Sequence, residues 1–321
     1  MAATHQFKLP LVDFTKLEEQ GLVPGTPEWI HVRDQVMLAL QELGSFEAVF
    51  GDIVPVGARE SAIGVLRDVF ELPLGSLDGV DGLRDEMYYG YGNKSEANRF
   101  DQNFGIDNIE SDEGVERLCK CLWPQGEPPH TRVNIQAYAK KISQVEQLIR
   151  KMVLEALGCE KYLNKQLGSS LYHFGWNKYG ATGKVDRELL LNAHSDKSFL
   201  SILYQNGVNG LEIQTKDGEW NLVHQQQPNS FIIMAGDSFH AWSNGRLRTQ
   251  MHRVTLGGSD TRYTIGVFAM PKPGYVLSTP DELVDEEHPL RYGPLEIRKY
   301  FNHCRSSGVQ GEARIKSFCG I

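Results

Sequence analysis

The chain has 321 residues, enough to bury a substantial core without covalent staples, and its five cysteines are odd in number with no CxxC spacing, which argues against a disulfide framework or a structural zinc site. A formal net charge of −8 argues against a nucleic-acid partner, which would be met by clustered Lys and Arg. No stretch approaches the roughly 18 apolar residues of a membrane span, and the run from Met1 into Leu9–Phe14 lacks the basic and long apolar regions of a secretory signal. The expectation is a cytoplasmic protein with reduced thiols, no membrane association and no protein partner indicated.

Taken in chain order, the first half reads mostly helical and the second mostly strand, the arrangement of an α+β protein with helices packed around a separate β core. Thr26-Pro27-Glu28 offers a cap, a first-turn proline and an early acid, and Ile30, Val36, Leu40 and Leu43 follow before Gly44 stops the helix. A second helix is expected from about Ala58 to Phe70. Between Gly75 and Trp123 the pattern is poor, and Tyr88-Tyr89-Gly90-Tyr91-Gly92 reads as loop; Cys119 and Cys121 read as ordinary helix residues. The clearest helix lies between Thr131 and Leu157, where Ile135, Tyr138, Ile142, Val145, Ile149, Met152 and Ala156 recur at steps of three or four and Gly158 ends it.

From Ser169 the pattern changes to short β-rich runs: 189–192, 199–204, 211–215, 220–223, 230–235, 252–256 and 262–268, with turns at Lys216-Asp217-Gly218 and Asn244-Gly245 between them. Many short strands at this spacing suggest a sandwich or jelly roll. After Pro271 the chain is irregular, then helical near Pro294 to His303.

His194-Ser195-Asp196 follows a strand-like run, and two residues apart on an extended chain put imidazole and carboxylate on one side. His252 opens another β run that several antiparallel strands could bring back beside the pair. Two histidines and a carboxylate make a facial triad, which leaves open positions on an octahedral iron(II). Ten positions further, Arg262-Tyr263-Thr264 places a guanidinium and a hydroxyl on one strand face, able to bind the far carboxylate of a dicarboxylic acid. The alternative is a surface ion-pair arginine and a threonine that merely favours strand.

These residues resemble one family: the plant-type iron(II)/2-oxoglutarate-dependent dioxygenases. The resemblance runs through nearly the whole chain, from LPLVDF and ALQELGSF near the start to HSDKSFLSILYQNGVNGLEIQTKDGEW, PNSFIIMAGDSFHAWSNGR, HRV and RYTIGVFAMP. HSDKSFLSILYQNGVNGLE and LCKCLWPQG are most similar to the branch that oxidises specialised metabolites, including glucosinolate side-chain and steroidal alkaloid dioxygenases. The resemblance implies a double-stranded β-helix, the cupin-like jelly roll, with an N-terminal helical region over residues 1–125 and the scaffold helix, core and C-terminal helix over 126–321. It also implies His194, Asp196 and His252 as iron(II) ligands, and Arg262 with Thr264 as the clamp on the C5 carboxylate of 2-oxoglutarate. Asn177 and Tyr179, in a segment similar to the family's Asn-x-Tyr, are implied to help bind that co-substrate.

The implied reaction consumes 2-oxoglutarate and dioxygen, gives succinate and carbon dioxide, and oxidises a small plant metabolite, by hydroxylation or by demethylation, desaturation or ring closure, with ascorbate in support. Departures are Thr264 where the family more often has serine, no proline after Tyr179, no Asn-His-Gly turn in 46–52 and a poorly matched stretch from Asp85 to Asn108. Two other readings are a catalytically silent small-molecule binder and a cupin-like metalloenzyme that does not use 2-oxoglutarate; the retained triad and clamp residues speak against both. His130, His173, His224 and His240 read as structural or surface histidines, His240–Arg246 as a turn near a pocket mouth, and Trp242 as either core or substrate-facing. Phe199, Phe268 and Met270 read as pocket lining or core.

Overall fold

A computed structural model describes residues 6–72, 92–93, 101–228 and 230–321. Strands β1 (Leu11–Asp13) and β2 (Ser45–Val49) flank helices α1 (Thr15–Glu19) and α2 (Pro27–Glu42). Next come α3 (Val56–Phe70), β3 (Gly92–Asn93), β4 (Asp101–Asp107), α4 (Asp112–Leu122) and the long α5 (Thr131–Ala156). Helix α6 (Leu163–Gly168) leads into β5 (Ser170–Tyr179), β6 (Glu188–His194), β7 (Leu200–Gln205), β8 (Leu211–Gln214), β9 (Trp220–Leu222) and β10 (Phe231–Ala235). After α7 (Asp237–Trp242) follow β11 (His252–Leu256), β12 (Arg262–Pro271), β13 (Val276–Leu277), β14 (Leu295–Glu296), α8 (Ile297–Ser306) and α9 (Gly311–Cys319).

Local chemistry sets the helix ends. The Thr26 hydroxyl accepts from the Trp29 amide at 3.2 Å with Pro27 in the first turn, as the sequence predicts for α2. Gly44 follows at φ +83°, and a Cβ there would sit 2.4 Å from the Arg248 carbonyl oxygen, so both backbone conformation and close approach require glycine. The stripe predicted for α5 is its core face: Ile135, Tyr138, Ile142, Val145, Ile149 and Met152 are all buried. Helices α2 and α3 pack on α5, and α5 lies against β7 and β12.

The strands form two main sheets. The larger has the order β1-β2-β10-β7-β12-β5-β4-β3 and the smaller β6-β11-β8-β9. This is the jelly roll expected for the second half, with strands from the first half added at both edges of the larger sheet. One apolar cluster runs from Val12 in β1 to Cys319 in α9 and so joins residues before and after position 125.

Several expectations need correction. Gly92, read as loop, pairs with Asn103 as the start of β3, while Tyr88–Tyr91 lie outside the described residues. The poorly patterned stretch holds α4, capped by the Ser111 hydroxyl accepting from the Gly114 amide at 2.9 Å, with Cys119 in its buried face as expected. His240–Arg246 is not all turn: α7 runs to Trp242, and only then do Asn244 (φ 55°) and Gly245 (φ 78°) reverse the chain. The C-terminal helix begins at Ile297 rather than Pro294, because Glu296 caps it by accepting from the amides of Arg298 and Lys299. Helix α9 was not expected at all.

Candidate active site

His194 ends β6 and His252 opens β11, and the two are direct partners across the antiparallel pair. The register slips between His252 and Val254, so Leu191 and His194, three residues apart, oppose Val254 and His252 and border the same cavity. Asp196 follows two residues beyond His194, and its Oδ1 lies 3.8 Å from Nε2 of each histidine. The three donor atoms lie within 4.8 Å of one another, the only such cluster among the described residues.

Each imidazole is oriented by the backbone. Nδ1 of His194 meets the Asn192 carbonyl at 2.8 Å and Nδ1 of His252 meets the Gln250 carbonyl at 3.1 Å. A carbonyl only accepts, so a hydrogen sits on Nδ1 and Nε2 is the ring nitrogen turned to the cluster. Burial, then the neighbouring His252, lowers the pKa of His194 and favours its neutral, ligating form. For Asp196, burial works to raise the pKa, but His252 and His194 outweigh it and keep the carboxyl below its ordinary value. Asp196 Oδ2 is buried with no hydrogen-bond partner. A buried, unsatisfied carboxylate oxygen beside two imidazole nitrogens is costly for a protein alone and suits a divalent metal of the iron type.

The predicted clamp residues lie across the cavity in direct register. Arg262 of β12 opposes Tyr179 of β5, and Thr264 opposes Asn177. The Arg262 guanidinium is 1% exposed and donates through Nε and Nη2 to Gln205 Oε1 at 3.2 and 2.9 Å, with its carbon 5.1 Å from the Tyr179 ring centre. Burial pulls its pKa down to about 10 against the opposing effect of Tyr179, so it stays charged at neutral pH. No carboxylate lies within ion-pair distance of it among the described residues. Asn177 Nδ2 donates to Thr264 Oγ1 at 3.2 Å, which leaves the threonine O–H hydrogen to be given to another acceptor.

Triad and clamp share one cavity of about 350 Å³ between the two sheets. Period-two alternation builds its wall: Arg262, Thr264, Gly266 and Phe268 face it from β12, and His173, Gly175, Asn177 and Tyr179 from β5. Their neighbours Ile265, Val267, Phe174 and Trp176 belong to the core. Phe268 is therefore pocket lining, whereas Phe199, Met270 and Trp242 are core residues. His173, expected as a structural or surface histidine, is held with Nδ1 2.7 Å from Asp107 Oδ1 and also borders the cavity; counting back by twos from Asn177 would have found that placement. His240 is structural, held between the Leu247 carbonyl and the Tyr292 hydroxyl at 2.7 Å each. Gln205, which holds Arg262, gave no local sequence signal.

A jelly roll with two imidazoles and a carboxylate and a buried arginine lining one cavity has the layout of a metal-dependent enzyme that takes an anionic ligand. Residues 170–271 match the 2OG-Fe(II) oxygenase superfamily. The chain is 33% identical over 300 residues to the probable 2-oxoglutarate-dependent dioxygenase AOP1 of Arabidopsis thaliana, covering 92% of this chain and 96% of that protein. The 2-oxoglutarate-dependent dioxygenase AOP3 of the same plant is 26% identical over 412 residues, covering 98% of each. Among solved structures, the rice dioxygenase for auxin oxidation superposes with a TM-score of 0.82 at 25% identity, over 98% of this chain and 100% of that one. JOX2 in complex with 2OG, Fe and JA has a TM-score of 0.79 at 22% identity over 98% and 90%, a likeness of fold. The chain belongs to the iron(II)/2-oxoglutarate-dependent dioxygenases. It is an enzyme of that class, with iron(II) as cofactor and 2-oxoglutarate as co-substrate.

Proposed function

We propose that His194, Asp196 and His252 hold the iron, that Arg262 and Thr264 bind the C5 carboxylate of 2-oxoglutarate, and that Asn177 and Tyr179 support this clamp. The observation that carries the reading is the buried Arg262 cation, held only by neutral groups among the described residues, in the same cavity as the triad. An anionic group arriving there would relieve an uncompensated buried charge, and a planar fork with an adjacent hydroxyl fits a carboxylate. Asn177 fixes the Thr264 rotor, and Tyr179 and Gln205 fix the guanidinium plane, so the co-substrate is oriented without reorganisation. Iron(II) bound at the triad supplies the oxygen chemistry that couples conversion of 2-oxoglutarate to succinate and carbon dioxide with oxidation of a substrate carbon.

The organic substrate in this reading is a small plant specialised metabolite, and the outcome is hydroxylation. Leu191, Leu203, Met234, Val254 and Phe268 offer it an apolar wall and keep bulk water from the reacting centre. The rice relative's name, a dioxygenase for auxin oxidation, supports a small plant molecule. In the same reading residues 126–321 carry the chemistry, residues 1–125 shape and close the core around it, and the enzyme works in the cytoplasm. Among the described residues no helix is long and apolar enough to cross a membrane.

The test is succinate formation from 2-oxoglutarate under air with iron(II), ascorbate and a pooled plant metabolite extract, with Asp196→Ala as control. Extract-stimulated, iron-dependent succinate that disappears in Asp196→Ala is the expected result. Equal succinate from both proteins would refute the ligand assignment. Subcellular fractionation of plant tissue, with the protein recovered outside the soluble cytoplasmic fraction, would refute the compartment.

A further inference from the structure

Behind the triad, on the side away from the cavity, lies a polar cluster that the metal and co-substrate assignments leave unexplained. Its centre is Arg314 of α9, 2% exposed. Nη2 of Arg314 donates to the Ser195 carbonyl at 3.2 Å, to Ser195 Oγ at 2.9 Å and to Asp237 Oδ2 at 2.7 Å. Its Nε donates to the Tyr300 hydroxyl at 3.2 Å and Nη1 to Gln310 Oε1 at 2.8 Å. Asp237, fully buried, also accepts from the Tyr300 hydroxyl and from Thr249 Oγ1, each at 2.7 Å.

Ser195 is the residue between His194 and Asp196. Asp237 grips the other side of the same segment, its amide donating to the Asp196 carbonyl at 2.7 Å. A Cβ on Gly236 would lie 2.3 Å from the Ser198 carbonyl oxygen and 3.0 Å from that of Asp196, so the two segments meet without spare room. The backbone on both sides of the Asp196 side chain is thus held by one network rooted in the C-terminal helices.

We propose that Arg314 is a positioning residue for the metal site, fixing the His194–Asp196 segment so that the Asp196 carboxylate is presented to the ion before it binds. This rests on the assignment of the triad as the iron ligands. A guanidinium suits the task because one rigid plane reaches Ser195, Asp237, Tyr300 and Gln310 together. A lysine ammonium could neutralise Asp237 but could not span the other acceptors. If Arg314 served stability alone, restoring the charge would restore everything; if it positions the ligand loop, stability and metal affinity separate.

The experiment titrates metal-free protein with Co(II), followed by its visible absorption, well below the melting temperature and with folding checked by circular dichroism. Arg314→Lys is expected to melt near the native temperature yet bind Co(II) about 10- to 100-fold more weakly, with a changed absorption band. A folded Arg314→Lys protein whose affinity lies within about twofold of native overturns the proposal, whatever its melting temperature. Should Arg314→Lys fail to fold, Tyr300→Phe decides, since it removes one hydroxyl from the same network: about threefold weaker binding is expected, and unchanged affinity overturns the proposal. Asp196→Ala separates the two levels. If it binds Co(II) as tightly as native, the triad assignment has failed; if it loses Co(II) while Arg314→Lys does not, only the role of Arg314 has.

Discussion

Arg262 carries a full charge that, among the described residues, no carboxylate meets within ion-pair distance. Gln205 accepts from it twice and the Tyr179 ring lies against it, but neither cancels the charge. Removing the guanidinium should therefore act on 2-oxoglutarate far more than on the organic substrate. Arg262→Ala is expected to raise KM for 2-oxoglutarate about 10- to 100-fold, the worth of a charge-assisted hydrogen-bond pair, with KM for the organic substrate nearly unchanged. Steady-state succinate kinetics with each substrate varied in turn check this, and equal effects on the two would remove Arg262 from the clamp. At this scale most of the site was legible. His194 and Asp196 sit two residues apart at a strand end, and Arg262 and Thr264 two apart on one strand, where alternation says which side chains share a face; His252 joins them only through the pairing of β11 with β6.

Strand β12 extends that logic beyond the clamp, since Arg262, Thr264, Gly266 and Phe268 form one row on the cavity side. The row works because Gly266 lacks a side chain: a Cβ there would come 2.9 Å from two atoms of the Phe268 ring, and one on Gly175 of β5 would come 3.2 Å from it. Gly266→Ala is expected to swing the ring into the cavity. The apparent KM for the organic substrate should rise about 10-fold or more, while KM for 2-oxoglutarate and Co(II) affinity stay near native. A substrate KM unchanged in this variant would mean that Phe268 does not border the substrate. Strand β5 escaped notice because its cavity face is His173, Gly175 and Asn177, and glycine and asparagine weaken a strand pattern. Those residues are there for the pocket and not for strand stability.

Over the whole molecule, the division near residue 125 is not a division of the core. β1 and β2 belong to the larger sheet, with Ala48 paired to Phe231, and Trp29 Nε1 of α2 donates to Glu155 Oε2 of α5 at 2.6 Å. Thermal unfolding of metal-free protein is expected to be one transition, with calorimetric and van't Hoff enthalpies in agreement. A fragment of residues 126–321 is expected to lack a cooperative transition, because it would expose the β10 edge and the faces of α5 that α2 and α3 cover. Two resolved transitions, or a cooperatively folding fragment, would show that the halves are separate folding units.

The sequence by itself determined the class of core and the scaffold helix, and it supplied the residues proposed to hold metal and co-substrate, because periodicity, caps and short motifs are local and survive in the order of residues. Tertiary structure alone decided which groups hold those residues in place. Gln205 reaches Arg262 from a neighbouring strand, Asp107 reaches His173 across β4 and β5, and Arg314 reaches Ser195 from the far end of the chain. Each is a polar residue whose role depends on an acceptor or donor distant in sequence, and a buried polar group acquires its partner only when the chain has folded.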